Sequence, residues 1–301
     1  MRATNFIFTV SIGGEERALV GVSGVGNEID VVQFTESDRA PIYTQPGKLS
    51  GANITLRGVP FKLWEKEGPL ASFFQVYVEG ALAARCRRVS GLGVKINVFE
   101  STESDNIIKH KMPGHLAFNE VTLTQIVDSD DKLLAEWAKS IGYPTGPGDG
   151  FATGSALLLE KAKKNVDIFI LARDLSPIAS VKLLDCWPSR WSLADLDTTS
   201  EDMAIQDLTL QVNGYIESNM GDDEFSQWIA SALKCKPEKR TLVIRAYERC
   251  AKIGADDPVA TWKVINAFPA EIGFADLDAG ATDVWLREVV VANEGVIPVP
   301  S

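Results

Sequence analysis

Two short acidic motifs are the clearest candidates for chemistry in this chain. The sequence Ala-Asp-Leu-Asp occurs twice and places Asp195 beside Asp197 and Asp276 beside Asp278. Carboxylates two residues apart share one face of a strand, where they could bind a cation or act as an acid and a base. The chain has only two histidines, and neither lies near these motifs in sequence. We therefore predict structural turns that cap backbone N–H groups or meet a cation of a neighbouring subunit.

The other reactive side chains form no recognisable site. The four cysteines stand singly, without the C-x-x-C spacing of zinc or redox motifs, which predicts free buried thiols. His110 and His115 flank a Lys-Met-Pro-Gly segment and are expected on a hairpin surface. The glycine-rich segment 22–26 lacks the Lys-Ser/Thr ending of a phosphate-binding loop. The sequence thus predicts no catalytic residue, no cofactor, no metal site and no enzymatic activity.

The composition excludes two further classes of function. The 301 residues contain 30 Lys and Arg against 41 Asp and Glu, a formal net charge of −11. Binding of nucleic acid to the exterior needs clustered basic residues, which this composition disfavours. No segment approaches the roughly 20 consecutive apolar residues of a membrane-spanning helix, so no membrane contact is predicted.

An internal repeat, which we call the front repeat, organises the first part of the chain. Residues 22–26 read Val-Ser-Gly-Val-Gly, and residues 89–93, which lie 67 positions later, read Val-Ser-Gly-Leu-Gly. The same spacing continues without a gap through a Thr-Glu-Ser-Asp motif and a Pro-Gly pair. Self-similarity at a fixed spacing is the signature of a duplicated structural unit.

A second repeat, the back repeat, relates the later parts of the chain. Pro188 and Pro269 lie 81 positions apart, and each precedes one of the Ala-Asp-Leu-Asp motifs. Two helix patterns, residues 130–137 and 222–228, precede the two copies. Each begins with carboxylates, which suit a helix N-terminus.

Together the repeats predict two copies of one domain, one inserted into the other. The order of parts is front half, front half, helix, back half, helix, back half. Because compact domains have adjacent termini and accept insertions at surface turns, we expect an inserted domain at residues 66–217. The outer domain is then discontinuous and combines residues 1–62 with residues 218–301.

Alternation of apolar and polar residues predicts strands in both domains. The candidates are residues 6–13, 73–80, 166–171, 181–185, 205–212, 241–247, 261–266 and 284–291. With one helix of about three turns per domain, the prediction is a strand-rich α+β fold. Each domain is expected to be a small β-sandwich or barrel with a flanking helix.

Several motifs occur in the order and approximate spacing of one known family. They are the Val-Ser-Gly-Leu-Gly segment, Pro113-Gly114, the strand 119–124, the helix with Trp137, and the run 186–191 that leads to residues 194–197. In these motifs the chain resembles the tail tube proteins of contractile phages and related injection systems. The resemblance covers nearly all of residues 66–217. It is looser in the outer domain, where Phe268 stands at the position of Trp187.

The resemblance implies a structural protein of a phage tail or of a phage-like contractile injection system. Members of the family build six-domain rings whose long hairpins line a central channel, and the stacked rings conduct DNA or other cargo. The implied partners are further copies of the chain, adjacent tube or baseplate proteins, and sheath and tape-measure proteins, with DNA only as passing cargo. The implied location is a virion tail or injection particle, assembled in the host cytoplasm.

Two segments, residues 27–42 and 94–109, are candidates for the assembly hairpins. Both are long and alternating, with a polar Thr-Glu-Ser-Asp centre, as expected for strands with one wet face. Backbone pairing between edge strands of adjacent subunits would then hold the assembly together. The candidate assembly residues are Phe34, Thr35, Glu36, Ser37, Asp38, Phe99, Thr102, Glu103, Ser104 and Asp105.

The number of chains in a ring and the role of the protein each remain open between alternatives. A ring of six domains would close with three two-domain chains, giving three-fold symmetry that mimics six-fold symmetry. Six chains would be needed if the two domains stacked along the channel. The first alternative role is a tube-initiating or hub-like baseplate ring. The second, of a different class, is a carbohydrate- or peptide-binding β-domain protein that uses exposed aromatic side chains.

Overall fold

The strands and helices are those of a computed structural model. It describes residues 6–34, 43–58, 73–102, 107–126, 133–140, 162–171, 177–193, 205–217, 223–248, 251–253, 255–274, 277–278 and 287–300.

The elements of the described residues are mostly strands. The first part contains β1 (Phe6–Ile12), β2 (Glu15–Leu19), β3 (Gly21–Ser23), β4 (Asn27–Phe34), β5 (Tyr43–Gly51), β6 (Ile54–Arg57), β7 (Phe73–Val78), β8 (Ala81–Ser90), β9 (Gly93–Ser101), β10 (His110–Phe118), β11 (Val121–Ile126) and helix α1 (Leu133–Ser140). The second part contains β12 (Lys164–Leu171), β13 (Pro177–Leu193), β14 (Ile205–Gln211), β15 (Gly214–Glu217), helix α2 (Glu224–Leu233), β16 (Arg240–Glu248), β17 (Ala260–Phe274), β18 (Leu277–Asp278), β19 (Arg287–Ala292) and β20 (Gly295–Val299).

Six strands between residues 73 and 211 form a closed sheet, which we call the inner sheet. Its order is β11-β14-β13-β12-β7-β8, and β8 pairs with β11 to close the row. Closure leaves no free edge along most of these strands, and alternate side chains point inward. Leu123, Ile168 and Leu183 are fully buried there.

A second sheet, the outer sheet, combines strands from both ends of the chain. Its order is β2-β1-β16-β17-β19-β6-β3. Only Val20 separates β2 from β3, and its backbone N–H donates to the carbonyl of Arg57 at 3.0 Å. The row of strands therefore ends beside the strand where it began, as the inner sheet does at β8.

The two sheets contain the same glycine turn at equivalent positions of the front repeat, after β3 in the outer sheet and after β8 in the inner sheet. Gly24 and Gly91 both have a φ of 79°, a conformation that side-chain-bearing residues rarely adopt. A Cβ at Gly24 would lie 2.1 Å from the carbonyl oxygen of Asn53, and one at Gly91 would lie 2.0 Å from that of Glu120. Each turn therefore requires glycine for the same two reasons.

The back strands share their irregularities at equivalent positions of the back repeat. β13 has a bulge against β14 just after Pro188, and β17 has one against β19 just after Pro269. Asp185 and Asn266 both have positive φ, at 49° and 50°. Bulges and prolines bend a strand without ending it, which explains why β13 and β17 run well beyond the predicted ranges 181–185 and 261–266.

The two helices contain capping and core residues that belong to the helix patterns identified in the sequence. Asp223 is the N-cap of α2, and its carboxylate accepts hydrogen bonds from the backbone N–H groups of Phe225 at 3.1 Å and Ser226 at 3.0 Å. Trp137 of α1 and Trp228 of α2 are almost fully buried. Helix α2, with 10 residues, is close to the predicted three turns, and α1 is described over 8 residues.

Buried indole groups find backbone partners, as buried polar groups must. Trp137 Nε1 donates to the carbonyl of Ala162 at 2.6 Å, and Trp228 Nε1 donates to the carbonyl of Glu238 at 2.8 Å. Each helix is thereby tied to the segment that leads into β12 or β16. The predicted fold class, strand-rich α+β with flanking helices, is confirmed.

Candidate assembly surface

Two hairpins contain the residues predicted for assembly. The first hairpin is β4 with β5, and the second hairpin is β9 with β10. Both have a register shift next to a proline, where Val31 lies opposite Pro46 and Val98 lies opposite Pro113. The predicted ranges 27–42 and 94–109 stop short, because the returning strands, β5 and β10, extend the hairpins to residues 51 and 118.

The second hairpin pairs with the outer sheet. On β9, Lys95 lies opposite Glu271 of β17, and Val94 lies opposite Ile272. The backbone N–H of Phe274 also donates to the carbonyl of Leu92 at 3.1 Å. We call this contact, residues 92–95 against residues 271–274, the intrachain seam.

Apolar burial accompanies the backbone pairing at the intrachain seam. Val94 is 1% exposed and Ile96 is 3% exposed. Val98 packs against a small cluster of buried side chains on β17 and β19, which contains Phe268, Ala270 and Ala292. The second hairpin thus covers apolar surface of the outer sheet as well as extending its hydrogen bonding.

The two hairpins also contact one another. The backbone N–H of Leu49 donates to the carbonyl of Ile107 at 2.8 Å, and that of Lys109 donates back to the carbonyl of Leu49 at 2.9 Å. Lys109 Nζ lies 2.9 Å from Asp30 and 3.2 Å from Glu100. Hydrogen bonds with Asp30 and then Glu100 raise the pKa of Lys109 above its ordinary value.

A buried lysine crosses between the hairpins. Lys111 Nζ donates to the carbonyl of Gly51 at 2.6 Å, and the residue is 6% exposed. Burial lowers the pKa of Lys111, although the carboxylates of Glu100 and Glu28 act in the opposite direction. The amine therefore serves as a fixed donor that ties the end of β5 to β10.

A carboxylate network lies beside the same contact. Glu294, 5% exposed, accepts hydrogen bonds from Lys239 Nζ at 2.8 Å and Asn266 Nδ2 at 2.6 Å. His110 Nδ1 of the second hairpin lies 3.3 Å from the same carboxylate. Burial by itself would raise the pKa of Glu294, but the hydrogen bonds from Asn266, Lys239 and His110 outweigh it and lower that pKa.

The first hairpin lacks such cover within the described residues. Ile29 is 58% exposed, whereas Ile96, its counterpart in the front repeat, is 3% exposed. Val31 is likewise 66% exposed, whereas its counterpart Val98 is partly buried against the outer sheet. Exposed apolar side chains beside an unpaired strand edge are typical of an interaction surface.

Comparison with known proteins identifies the family. The family model described as T4-like virus tail tube protein gp19 matches residues 71–216 and again residues 217–297. The chain belongs to this family. The resemblance drawn from the sequence motifs is therefore confirmed, and family membership supports a structural tube role for the chain.

Three solved structures each match about half of the chain. A chain of the PVC sheath-tube complex of an extracellular contractile injection system is 22% identical, with a TM-score of 0.41, over 52% of this chain and 95% of its own. The tube-terminating cap of the anti-feeding prophage is 18% identical, with a TM-score of 0.40, over 52% and 93%. Hcp1 from Flavobacterium johnsoniae is 10% identical, with a TM-score of 0.30, over 49% and 95%. The comparison with curated proteins found no match.

Some of the residues predicted for assembly fall within the described part of this tail tube chain. Phe34 ends β4 opposite Tyr43, Phe99 lies on β9 and is 52% exposed, and Thr102 is exposed just after β9. The remaining residues lie outside the described residues and stay predictions. They are Thr35, Glu36, Ser37, Asp38, Glu103, Ser104 and Asp105.

The acidic motifs are described only in part. Asp278 belongs to β18, where it lies opposite Arg88 of β8, so a short strand follows β17 and reaches the inner sheet. Asp195, Asp197 and Asp276 lie outside the described residues. Their role as structural turns stays a prediction.

The described residues offer no metal cluster and no membrane-spanning helix. In the described ranges, no group of three or more His, Cys, Asp or Glu side chains could hold a metal ion. None of the described helices is long and apolar enough to cross a membrane. Cys86 and Cys186 are buried thiols outside any disulfide, as predicted, but Cys235 is exposed because it lies in the turn after α2. Cys250 lies outside the described residues.

Sequence reasoning missed the residues that join the two sheets. Lys111 and Glu294 lie in polar contexts that are typical of solvated surface, and their partners are distant in sequence. A usable signal existed for Lys95 and Glu271. The front repeat places Glu28 at the position of Lys95, and the back repeat places Arg190 at the position of Glu271, so the charges are reversed between the copies.

Proposed function

We propose that this chain forms rings by self-association, and that the rings stack as a tail tube through which DNA or protein cargo passes. Family membership supports the structural role. The acidic composition fits a conduit, because a negative wall does not retain passing DNA. The function needs no catalytic group, and we propose that the protein is not an enzyme.

We further propose that the chain contains two tube domains, one made of residues 1–62 with 218–301 and the other, inserted between these segments, of residues 66–217. The recurrence of the same register supports this division. Leu123 lies opposite Leu208 in the inner sheet, and Leu56 lies opposite Val289 in the outer sheet, which are equivalent pairs under the front and back repeats. Matching pairs of this kind recur across the front and back strands of both sheets.

The intrachain seam is the observation that carries the function. It joins one tube domain to the other by backbone pairing between β9 and β17, with apolar burial beneath. The two hairpins then lie side by side through Leu49 and Lys109. Domains joined in this way are lateral neighbours, which is the relationship that a ring repeats until it closes.

Three chains would supply the six domains of such a ring. Lateral contact within the chain supports this stoichiometry over six chains, which would require the two domains to stack along the channel. Adjacent tube or baseplate rings, sheath and tape-measure proteins are the further partners that we propose, in a virion tail or injection particle.

Electron microscopy of the purified protein tests the proposal. At high protein concentration we expect rings, or tubes built from stacked rings, in negative stain, and a ring-sized species by size-exclusion chromatography with light scattering. Single rings that never stack would favour a tube-initiating ring over a repeating tube subunit. A monodisperse monomer at every concentration would contradict ring assembly.

A further inference from the structure

We propose that the edge of β13 at residues 190–192 binds residues 26–28 of a second copy, at the start of its β4, in the register that β9 takes on β17. A reversed pair of charges, Glu28 with Arg190, selects this partner. The inference rests on the proposed ring assembly and specifies the contact between its chains.

The edge of β13 is open at residues 190–192. At Arg190, Trp191 and Ser192, β13 pairs with β14 on one side only. On the other side, the pairing with β12 ends at Cys186. In the part of the chain that the structure describes, no strand continues that side. β9 occupies the corresponding part of β17, at residues 271–273. There too the pairing of β17 with β16 has already ended.

A glycine is retained on the approach to β4 although the single chain does not require it. Gly93 begins β9, and a Cβ there would lie 2.6 Å from the carbonyl oxygen of Ile272, so the intrachain seam admits only glycine. Gly26 is its counterpart in the front repeat. A Cβ at Gly26 would meet nothing within 4 Å. Seated on a second copy in the same register, Gly26 would meet the carbonyl of Trp191.

Apolar surface is available on both sides of the proposed contact. Ile29 and Val31 of β4 are 58% and 66% exposed. Val98, the counterpart of Val31, packs against the buried cluster that contains Phe268 of β17. The counterpart of Phe268 is Trp187, which is only partly buried. In the proposed register Val31 of one copy packs against Trp187 of the next.

Charge makes each hairpin select the correct edge. Within the chain, Lys95 on the hairpin lies opposite Glu271 on the edge. Between chains, Glu28 on the hairpin would lie opposite Arg190 on the edge. Opposite charges across a strand pair stabilise it, and like charges directly opposite one another destabilise it.

The two wrong combinations both place like charges together. The first hairpin on β17 would set Glu28 against Glu271, and the second hairpin on β13 would set Lys95 against Arg190. Among the described residues, neither Glu28 nor Arg190 forms a salt bridge, although the charge of Glu28 also acts on Lys111 of its own chain. The two domains therefore alternate around the ring instead of pairing like with like.

A charge exchange between the two positions tests the proposed register. Glu28→Lys alone and Arg190→Glu alone should each raise the concentration needed for half-maximal ring formation at least tenfold. The double variant, with both substitutions in one chain, should restore it to within about threefold of the wild-type value. Glu248→Lys and Arg87→Glu, at exposed positions on β16 and β8, are the matched controls for net charge.

Gly26→Ala is a variant that should fold normally and affect only the contact between chains. Because the space around Gly26 is open, its thermal unfolding midpoint as a monomer should match that of the wild type, while ring formation falls at least tenfold. Mixing the two single-charge variants gives a further readout. In the mixture, opposite charges meet only where a Glu28→Lys chain lies next to an Arg190→Glu chain. Three chains in a ring cannot alternate in this way, so the mixture should form fewer closed rings than the double variant.

The outcomes separate this inference from the proposed function. Loss in both single variants with recovery in the double variant supports the register. Rings in the wild type, together with a double variant no better than the single ones, would overturn the register and leave ring assembly standing. A wild type that never forms rings would overturn both.

Discussion

The carboxylate of Glu294 lies 2.8 Å from Nζ of Lys239, beside the place where the second hairpin meets the outer sheet. Asn266 and His110 complete its surroundings at 2.6 and 3.3 Å. The buried carboxylate of Glu294 therefore links Lys239, just before β16, to Asn266 of β17 and to His110 of the second hairpin.

Replacing Glu294 by Gln should destabilise the folded chain by about 1–3 kcal/mol, because a buried group loses hydrogen bonds made to a charge. Chemical denaturation at neutral pH measures the loss. Glu248→Gln, at an exposed position on β16, is the control and should change stability by less than about 0.5 kcal/mol. Equal stability of the two variants would contradict the structural role of Glu294.

The stability difference between wild type and Glu294→Gln should depend on pH. The folded-state pKa of Glu294 lies below its ordinary value of 4.5, so the stabilisation is fully present above that value and is lost as the pH falls through the folded pKa. Denaturation curves taken from neutral pH down to about pH 3 should show the difference shrinking in the acid range. A difference that stays constant throughout would contradict the assignment.

The N-cap of α2 predicts a smaller effect. Asp223→Ala removes the acceptor for two backbone N–H groups, at Phe225 and Ser226, and should cost about 1 kcal/mol of stability. Asp257→Ala, at an exposed position before β17, is the control with no comparable effect. Thermal unfolding of both variants distinguishes capping from a general effect of net charge.

The two glycine turns predict a matched pair of losses. Gly24→Ala and Gly91→Ala should each destabilise the chain by more than about 1 kcal/mol, because both combine a positive φ with a carbonyl oxygen in the space of the new Cβ. Gly21→Ala, whose Cβ would meet nothing within 4 Å, is the control. Losses that differ widely between Gly24 and Gly91 would contradict the equivalence of the turns.

The cysteines should differ in reactivity. Burial, together with the charge of Asp185, raises the pKa of Cys186 to about 12, so its thiol should stay unmodified in the folded protein. Cys235 is exposed and should react. Alkylation before and after denaturation, followed by peptide mapping, tests this. Native-state labelling of Cys186 at the rate of Cys235 would contradict the burial.

Local patterns in the sequence predicted much of the fold. Alternation and the two repeats located most strands, and Asp223 and Trp228 marked α2. Strand ends were harder to predict, because β13 and β17 continue through a bulge beside Pro188 and Pro269, residues that usually indicate a break. The returning strands β5 and β10 were missed for the same reason, since each contains a Pro-Gly pair.

The assembly surface was predicted only in outline. Sequence identified the two hairpins, but not that β9 pairs with β17, because such a contact joins residues far apart in the chain and leaves no local periodicity. Burial also could not be inferred, since Ile29 and Ile96 are the same residue type at equivalent positions and differ in exposure from 58% to 3%. The difference arises because the second hairpin packs against the outer sheet, whereas the described residues provide no such cover for the first hairpin.

In the proposed ring, the two tube domains of each chain are lateral neighbours at one height along the channel. A cryo-EM reconstruction of the assembled protein, calculated without imposed symmetry, tests it most directly. We expect three chains per ring, with six similar wall units at one height along the channel and with the first hairpin of each chain on β13 of the next. Six chains per ring, with the inner and outer sheets at different heights along the axis, would contradict the claim.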